Sequence, residues 1–269
     1  MLAEGFEAGN QDGRHSGKNA TPPARPLKRP ALRRLALKRP APERRVRGTL
    51  VFKRLVRRRP FCDIHPVVHL VVLNGSPHSE GMTATVLRAM VAELESEHTV
   101  EWIDTHRLNV KACRGCMICR PEGECILPRD DGHRVGESLR RAGMILVGTP
   151  TYWGNMSAPL KLIFDRNVTT FESFYPGRPR PRKRGCYGYI VVTSGARGLV
   201  RRLPSQAAGA AHAVRTILRG GGVRILGRLL VGGRPTFAER RSQIEARARR
   251  RGRRLGRRLR RAQRLRGAR

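Results

Sequence analysis

The sequence predicts an α/β domain built on a doubly wound, five-stranded parallel sheet, and three observations carry that prediction. Short runs rich in Val, Ile and Leu recur between residues 67 and 230, and the first, Val67–Leu73, lacks the polar alternation of a half-exposed strand, as a strand covered on both faces requires. Stretches with apolar residues at helical spacing separate those runs. The resulting order is strand, helix, strand, helix, strand, helix, strand, helix, strand within about 165 residues, the grammar of an open sheet with helices on both sides.

Val67–Leu73 is the first buried strand, ending at Asn74-Gly75-Ser76-Pro77. A helix is expected over about 82–97, where Val86, Leu87, Met90, Val91 and Leu94 share one face. Thr99–Asp104 is the second strand, and a cysteine-rich segment, 111–128, then interrupts the alternation. A short helix around 132–142 leads to a third strand, Gly143–Gly148; residues 156–168 are helical, with Leu160, Ile163 and Phe164 on one side. Tyr187–Thr193, a helix over 205–219 and a strand over Val223–Leu230 complete the set. The stretch 237–266 reads as a helix with few apolar positions (Ile244, Leu255, Leu259), its first turns packing on the sheet and its Arg-rich remainder solvated or engaged elsewhere.

The 269 residues carry a net charge of +36 with 39% hydrophobic residues, enough for one core. The charge is uneven. Residues 1–66 hold 17 basic against 5 acidic residues, residues 67–234 hold 24 against 13, and residues 235–269 hold 15 against 2. Three segments follow: a basic, Pro/Arg-rich disordered tail (1–66), the α/β domain (67–234) and an Arg-rich C-terminal helix (235–269). Arg33-Arg34 and Arg44-Arg45 lead into no apolar run of signal-peptide length, and no stretch approaches the ~18 apolar residues of a membrane span. The expectation is a cytoplasmic protein without a membrane partner. A nucleic-acid role for the Arg-rich ends is disfavoured, because no aromatics that could stack on bases are interleaved with the arginines.

Ligands of open α/β sheets bind where loops leave the carboxyl ends of the strands. The first such loop, Gly75–Ala84, is rich in hydroxyls and glycine and opens a helix, which suits a phosphate held by side-chain hydroxyls and helix N-terminal N–H groups. It is neither a Walker A loop nor GxGxxG, which disfavours ATP and a Rossmann-bound dinucleotide. The second loop, Gly148–Ser157, offers a Tyr152-Trp153 pair for a flat heteroaromatic ring, and the third, Thr193–Gly198, is small and donor-rich. No Ser/His/Asp or paired-carboxylate constellation is evident.

Asn74-Gly75-Ser76-Pro77 with Gly81 and Thr83, then Gly148–Trp153, then Ser157-Ala158-Pro159-Leu160-Lys161 with Asp165-Arg166, together resemble the NAD(P)H-dependent FMN reductases of the flavodoxin-like superfamily. The resemblance covers roughly residues 67–232 and implies strand order 2-1-3-4-5. It also implies that Ser76, His78, Ser79, Met82, Thr83 and Ala84 cradle the FMN phosphate. Pro150, Thr151, Tyr152, Trp153, Gly154 and Asn155 would line the isoalloxazine, and Thr193, Ser194 and Gly195 would close its pyrimidine side. The chain departs from the family in having Met82 where Asn is usual and in lacking a basic residue near His78. The implied activity passes electrons from NAD(P)H through FMN to a small-molecule acceptor (a flavin, quinone, nitro- or azo-aromatic), with no catalytic side chain beyond the flavin itself and with a homo-oligomer, dimer or tetramer, as the working form.

Cys113-x2-Cys116-x2-Cys119-x5-Cys125 is the sharpest local motif. Zinc sites usually pair two CxxC knuckles across a longer loop, whereas this spacing suits a cubane cluster with one thiolate per iron. It also resembles the iron-sulfur flavoproteins, in which a [4Fe–4S] cluster exchanges electrons with FMN. A substrate lid with free thiols is the competing reading. Asp130 or Asp131 is expected to cap the following helix. Two further functions stay open at this level: an electron-transfer or redox-sensing flavoprotein without efficient NAD(P)H turnover, and a nucleic-acid binder acting through the tails.

Overall fold

A computed structural model describes residues 67–120, 123–175, 178–196, 198–233 and 237–267; the expected tail, 1–66, lies outside the described residues. Five strands, β1 (His69–Asn74), β2 (Thr99–Asp104), β3 (Met144–Pro150), β6 (Tyr187–Ser194) and β7 (Arg224–Gly232), form one sheet in the order β2-β1-β3-β6-β7. All four pairings are parallel. Counted along this sheet alone, the order is the expected 2-1-3-4-5. The central strands are apolar without alternation because both faces are covered: all eight residues of β6 are buried.

Helices α1 (Met82–Val91) and α6 (Phe237–Gly267) cover one face, where Val86, Leu87 and Met90 meet Leu70, Val72 and Leu146. Helices α2 (Asp131–Arg141), α3 (Ala158–Arg166) and α5 (Ala207–Gly220) cover the other, where Val135, Leu160 and Val214 meet Val71, Val147 and Ile190. Helix α1 is shorter than the periodicity suggested. After Val91 the chain tightens: Glu93 N–H donates to the Met90 carbonyl and Leu94 N–H to that of Val91. These i→i−3 bonds end the α-helix while Leu94 stays buried.

Two features differ from the sequence reading. A short helix α4 (Val168–Phe171) leads into an antiparallel hairpin of β4 (Glu172–Tyr175) and β5 (Arg178–Pro181). Proline is tolerated at Pro179 and Pro181 because a two-stranded sheet leaves one side of each strand without a ladder to lose. Helix α6, in turn, is seated along most of its length. Ile244, Ala248, Leu255, Leu259 and Ala262 are buried in the same cluster as α1, and Gly252 is buried between them. Burying each of the larger of these side chains contributes about 2 kcal/mol. Arg258 also donates to the Leu226 carbonyl at 2.6 Å, covering part of the open edge of β7.

Candidate functional site

Three strand-end loops are stitched to one another. Gly75 N–H donates to the Gly148 carbonyl at 2.7 Å, tying the β1 loop to β3, and Thr151 N–H donates to the Thr193 carbonyl at 2.8 Å, tying the β3 loop to β6. Thr83 Oγ1 and Thr193 Oγ1 lie 2.7 Å apart and join the first turn of α1 to the end of β6. Residue 75 must be glycine for this: a Cβ there would stand 2.9 Å from Ser157 Oγ and 3.0 Å from the Gly148 oxygen. Below the loop, the buried Asn74 donates to Asp104 at 2.7 Å and accepts from Ser76 N–H at 3.2 Å, so the sheet's edge strand fixes the turn.

The loops enclose a cavity of about 550 Å³, a volume usual for a cofactor site. Of the expected residues, Ser76, His78, Met82, Thr83, Pro150, Thr151, Tyr152, Thr193, Ser194 and Gly195 line it. Ser79, Ala84, Trp153, Gly154 and Asn155 do not. Ser79 is exposed, Ala84 faces the core, and Asn155 turns its side-chain oxygen to Met156 N–H at 2.8 Å. Glu80 and Ala238 line the cavity without having been anticipated. Ala238 arrives from α6, far along the chain, and no local motif marks it.

The donor chemistry fits a phosphate ester with a polar ring. Gly81 caps α1 with no side-chain hydrogen bond, which leaves first-turn N–H groups pointing at the cavity with the positive end of the helix dipole. Thr151 Oγ1 is buried with no partner among the described residues, an unmet hydroxyl that a bound ligand would satisfy. No lysine or arginine lines the cavity among the described residues. An anion here would meet hydroxyls, helix N-terminal N–H groups and His78, with no lysine or arginine beside it.

Tyr152 and Asn155 exchange both backbone hydrogen bonds, at 2.9 and 2.8 Å, across a two-residue turn. Trp153 (φ 50°) and Gly154 (φ 75°) both adopt positive φ, the pattern of a type I′ turn, where Asn-Gly is the preferred pair. A tryptophan in the left-handed region is strained, and this one is fully exposed at 102%. It stands beside the cavity mouth and does not enter it.

The cysteine segment is closed at its base by one buried hub. Arg166, its side chain 1% exposed, donates to both carboxylate oxygens of Asp130, at 2.7 and 3.0 Å, and to the Lys111 carbonyl at 2.5 Å. Asp130 also accepts from Lys111 N–H at 2.9 Å and caps α2 through Gly132 N–H at 2.9 Å. Burial pushes the Asp130 carboxyl up, but the Arg166 hydrogen bonds, the Lys111 N–H and the Arg166 charge outweigh it and hold the group at about 2. His133 Nε2 stands 3.1 Å from the Cys125 carbonyl, which requires a proton on that nitrogen, and Nδ1 accepts from Asp130 N–H at 3.2 Å.

Cys113 and Cys116 are exposed, and Cys119 and Cys125 half-buried. Burial pushes the Cys119 thiol up, and Cys125, Cys113 and Cys116 add to the rise, so the four sulfurs share one electrostatic neighbourhood. Among the described residues, no three His, Cys, Asp or Glu side chains converge tightly enough for a single metal ion. Four soft thiols on one loop remain a fitting donor set for a polynuclear cluster, which needs a wider spread than a lone ion.

Comparison with known proteins agrees with this architecture. An iron-sulfur flavoprotein of Methanocaldococcus jannaschii is 33% identical over 99 residues, 36% of this chain and 51% of the relative. One from Archaeoglobus fulgidus is 33% identical over 129 residues, 48% and 60% of the respective chains. The chain thus spans roughly half the length of these curated relatives. Among solved structures, an NAD(P)H:quinone oxidoreductase from Methanothermobacter marburgensis superposes with a TM-score of 0.56 at 24% identity, covering 70% of this chain and 97% of that one. An FMN-dependent NADH-azoreductase from Bacillus anthracis, solved with FMN, gives 0.52 at 12% identity over 72% and 99%. These likenesses fix the fold as flavodoxin-like. The model of the NADPH-dependent FMN reductase family matches residues 68–227, more than half of the sequence and all five strands of the sheet up to the middle of β7, and the chain belongs to that family.

Proposed function

We propose that the chain is an FMN-dependent oxidoreductase that takes electrons from NAD(P)H and passes them to a small aromatic or quinonoid acceptor. The observation that carries this reading is the convergence of the three strand-end loops on one cavity whose donors are unmet at both ends: the uncapped start of α1 and the partnerless Thr151 hydroxyl. FMN bound there would supply hydride and electron transfer. The chain's own residues orient it. First-turn N–H groups at Met82 and Thr83, with the hydroxyls of Ser76 and Thr83 and with His78 beside them, would hold the phosphate. Pro150, Thr151 and Tyr152 on one side and Thr193, Ser194 and Gly195 on the other would hold the ring. Trp153, Gly154 and Asn155 form the rim over which the second substrate enters, and a second copy of the chain completes that rim in a homo-oligomer.

Cys113, Cys116, Cys119 and Cys125 would hold a [4Fe–4S] cluster, which supplies single-electron exchange with the flavin. The Asp130–Arg166 hub ties the base of that loop at Lys111 to α3. Anaerobic purification with a visible spectrum and an iron and sulfide assay tests both groups. Flavin bands with about four irons and four sulfides per chain are expected, and C113S/C116S/C119S/C125S should lose the iron and keep the flavin. Protein that stays colourless and fails to take up added FMN overturns the reading. Rapid mixing with NADPH should bleach the flavin; if loaded protein does not bleach, the chain is an electron carrier and not a reductase.

A further inference from the structure

Helix α6 carries arginines on both sides of its buried stripe, and the two sides are treated differently. On one, Arg249 and Arg253 approach Glu93 at 3.7 and 3.0 Å, and Arg260 approaches Glu97 at 2.5 Å. On the other, Arg247 and Arg251 face the edge of β7 and meet no carboxylate among the described residues. Arg228 reaches the same place from β7, and Arg201 and Arg202 reach it from the turn at Val200–Arg202. Together the five line a concave pocket of about 350 Å³ that no acidic side chain lines among the described residues. No residue lines both this pocket and the flavin cavity.

Guanidinium groups gathered from three separate elements repel one another, and each could swing into solvent if nothing rewarded the gathering. Burial, then the neighbouring Arg201 and Arg251, push the Arg247 guanidinium below its ordinary range. An arginine fork matches phosphate oxygens in pairs, which a lone surface charge does not. The pocket is a half-open hollow of bounded size, which suits a compact anion better than an extended strand. No exposed aromatic lines it to stack on a base.

We infer that the five-arginine pocket between the turn at Val200–Arg202, β7 and α6 is a binding site for a small ligand with clustered phosphate groups, of the pyrophosphate or nucleoside bisphosphate class. The test is calorimetric titration of the full chain with inorganic pyrophosphate, before and after R201Q/R247Q/R251Q. As a control, R250Q/R257Q/R264Q removes equal charge from the outer face of α6. Saturable binding is expected, weakened at least ~tenfold in the pocket triple and less than ~twofold in the control. Should the pocket triple not fold by circular dichroism, Arg247→Gln alone carries the comparison, with a smaller loss in the same direction. Competition by adenosine 2′,5′-bisphosphate would assign the site to a nucleotide, and its failure to compete to a free phosphate anion; either outcome supports the site. Equal losses in the two triples, absence of saturable binding, or binding of a single-stranded oligonucleotide but not pyrophosphate would overturn it.

Discussion

Asp130→Asn isolates the electrostatic part of the hub that closes the cysteine loop. The substitution keeps shape and the capacity to cap α2 but removes the charge that faces Arg166, leaving that buried guanidinium without its counter-ion. The carboxyl titrates at about 2 in the folded chain against an ordinary 3.8, a gap worth about 2.4 kcal/mol at 1.36 kcal/mol per pH unit. Because the folded value is the lower one, this stability is fully present above the ordinary value and is lost as pH falls through the folded one. About half is gone by pH 3. Urea unfolding of wild type and variant, followed by circular dichroism from pH 7 to pH 2.5, should show a difference near 2.4 kcal/mol that shrinks steadily below pH 4. A difference that is independent of pH, or smaller than about 0.5 kcal/mol at pH 7, would mean that the ion pair is not what holds the loop.

Lys183→Met strips two carbonyls, Arg140 O at 3.0 Å and Ala142 O at 2.9 Å, of a fully buried donor at the end of α2. A loss of about 2 kcal/mol in denaturant unfolding is expected, and an unchanged midpoint would refute it. Thr83→Val breaks the link to Thr193 and should raise the FMN dissociation constant about tenfold in a fluorescence titration, with thermal stability within a few degrees of wild type. Trp153→Asn places the preferred pair in the type I′ turn and should stabilise the chain by about 0.5–1 kcal/mol; a loss instead would show that the indole makes contacts that matter to the fold. Raising salt from 50 to 500 mM should alter FMN affinity less than about twofold, since no lysine or arginine lines its cavity, while pyrophosphate binding at the arginine pocket should fall steeply.

The five strands of the main sheet and every α-helix but α4 were legible because a doubly covered parallel sheet and the helices that cover it write their patterns along the whole chain. Val71, Val72, Ile145, Leu146, Ile190 and Val191 are apolar in succession and all buried. The cavity was legible for the same reason: strand ends in such a sheet point one way, so the loops at Asn74, Gly148 and Thr193 had to share a rim. What escaped notice depends on partners distant in sequence. Asp130 reads locally as a helix cap and is one, but its second role rests on Arg166, 36 residues away. Lys183 looks like one more basic residue in an Arg-rich stretch until the carbonyls of α2 come to meet it. The hairpin at 172–181 was masked by Arg-Pro alternation, which argues against a central strand and is silent about a two-stranded one.

Helix α6 shows how an extreme net charge is reconciled with a fold. Its buried stripe alternates Ile244, Leu255 and Leu259 with Ala248, Gly252 and Ala262, residues too small to register as apolar periodicity, so the sequence shows only three apolar positions among the arginines. Small residues let the helix approach α1 closely, and that approach brings Arg249, Arg253 and Arg260 within reach of Glu93 and Glu97. Those acids lie at the very place where α1 gives way to tight turns. One side of α6 thus has its charge answered within the chain. The other side does not, and it borders the exposed edge of the sheet, where an arginine-lined hollow both blocks strand addition by a foreign chain and collects phosphate. Edge protection alone needs only scattered cations such as Arg258; five guanidinium groups around one hollow exceed that need, and the excess is what a ligand would explain.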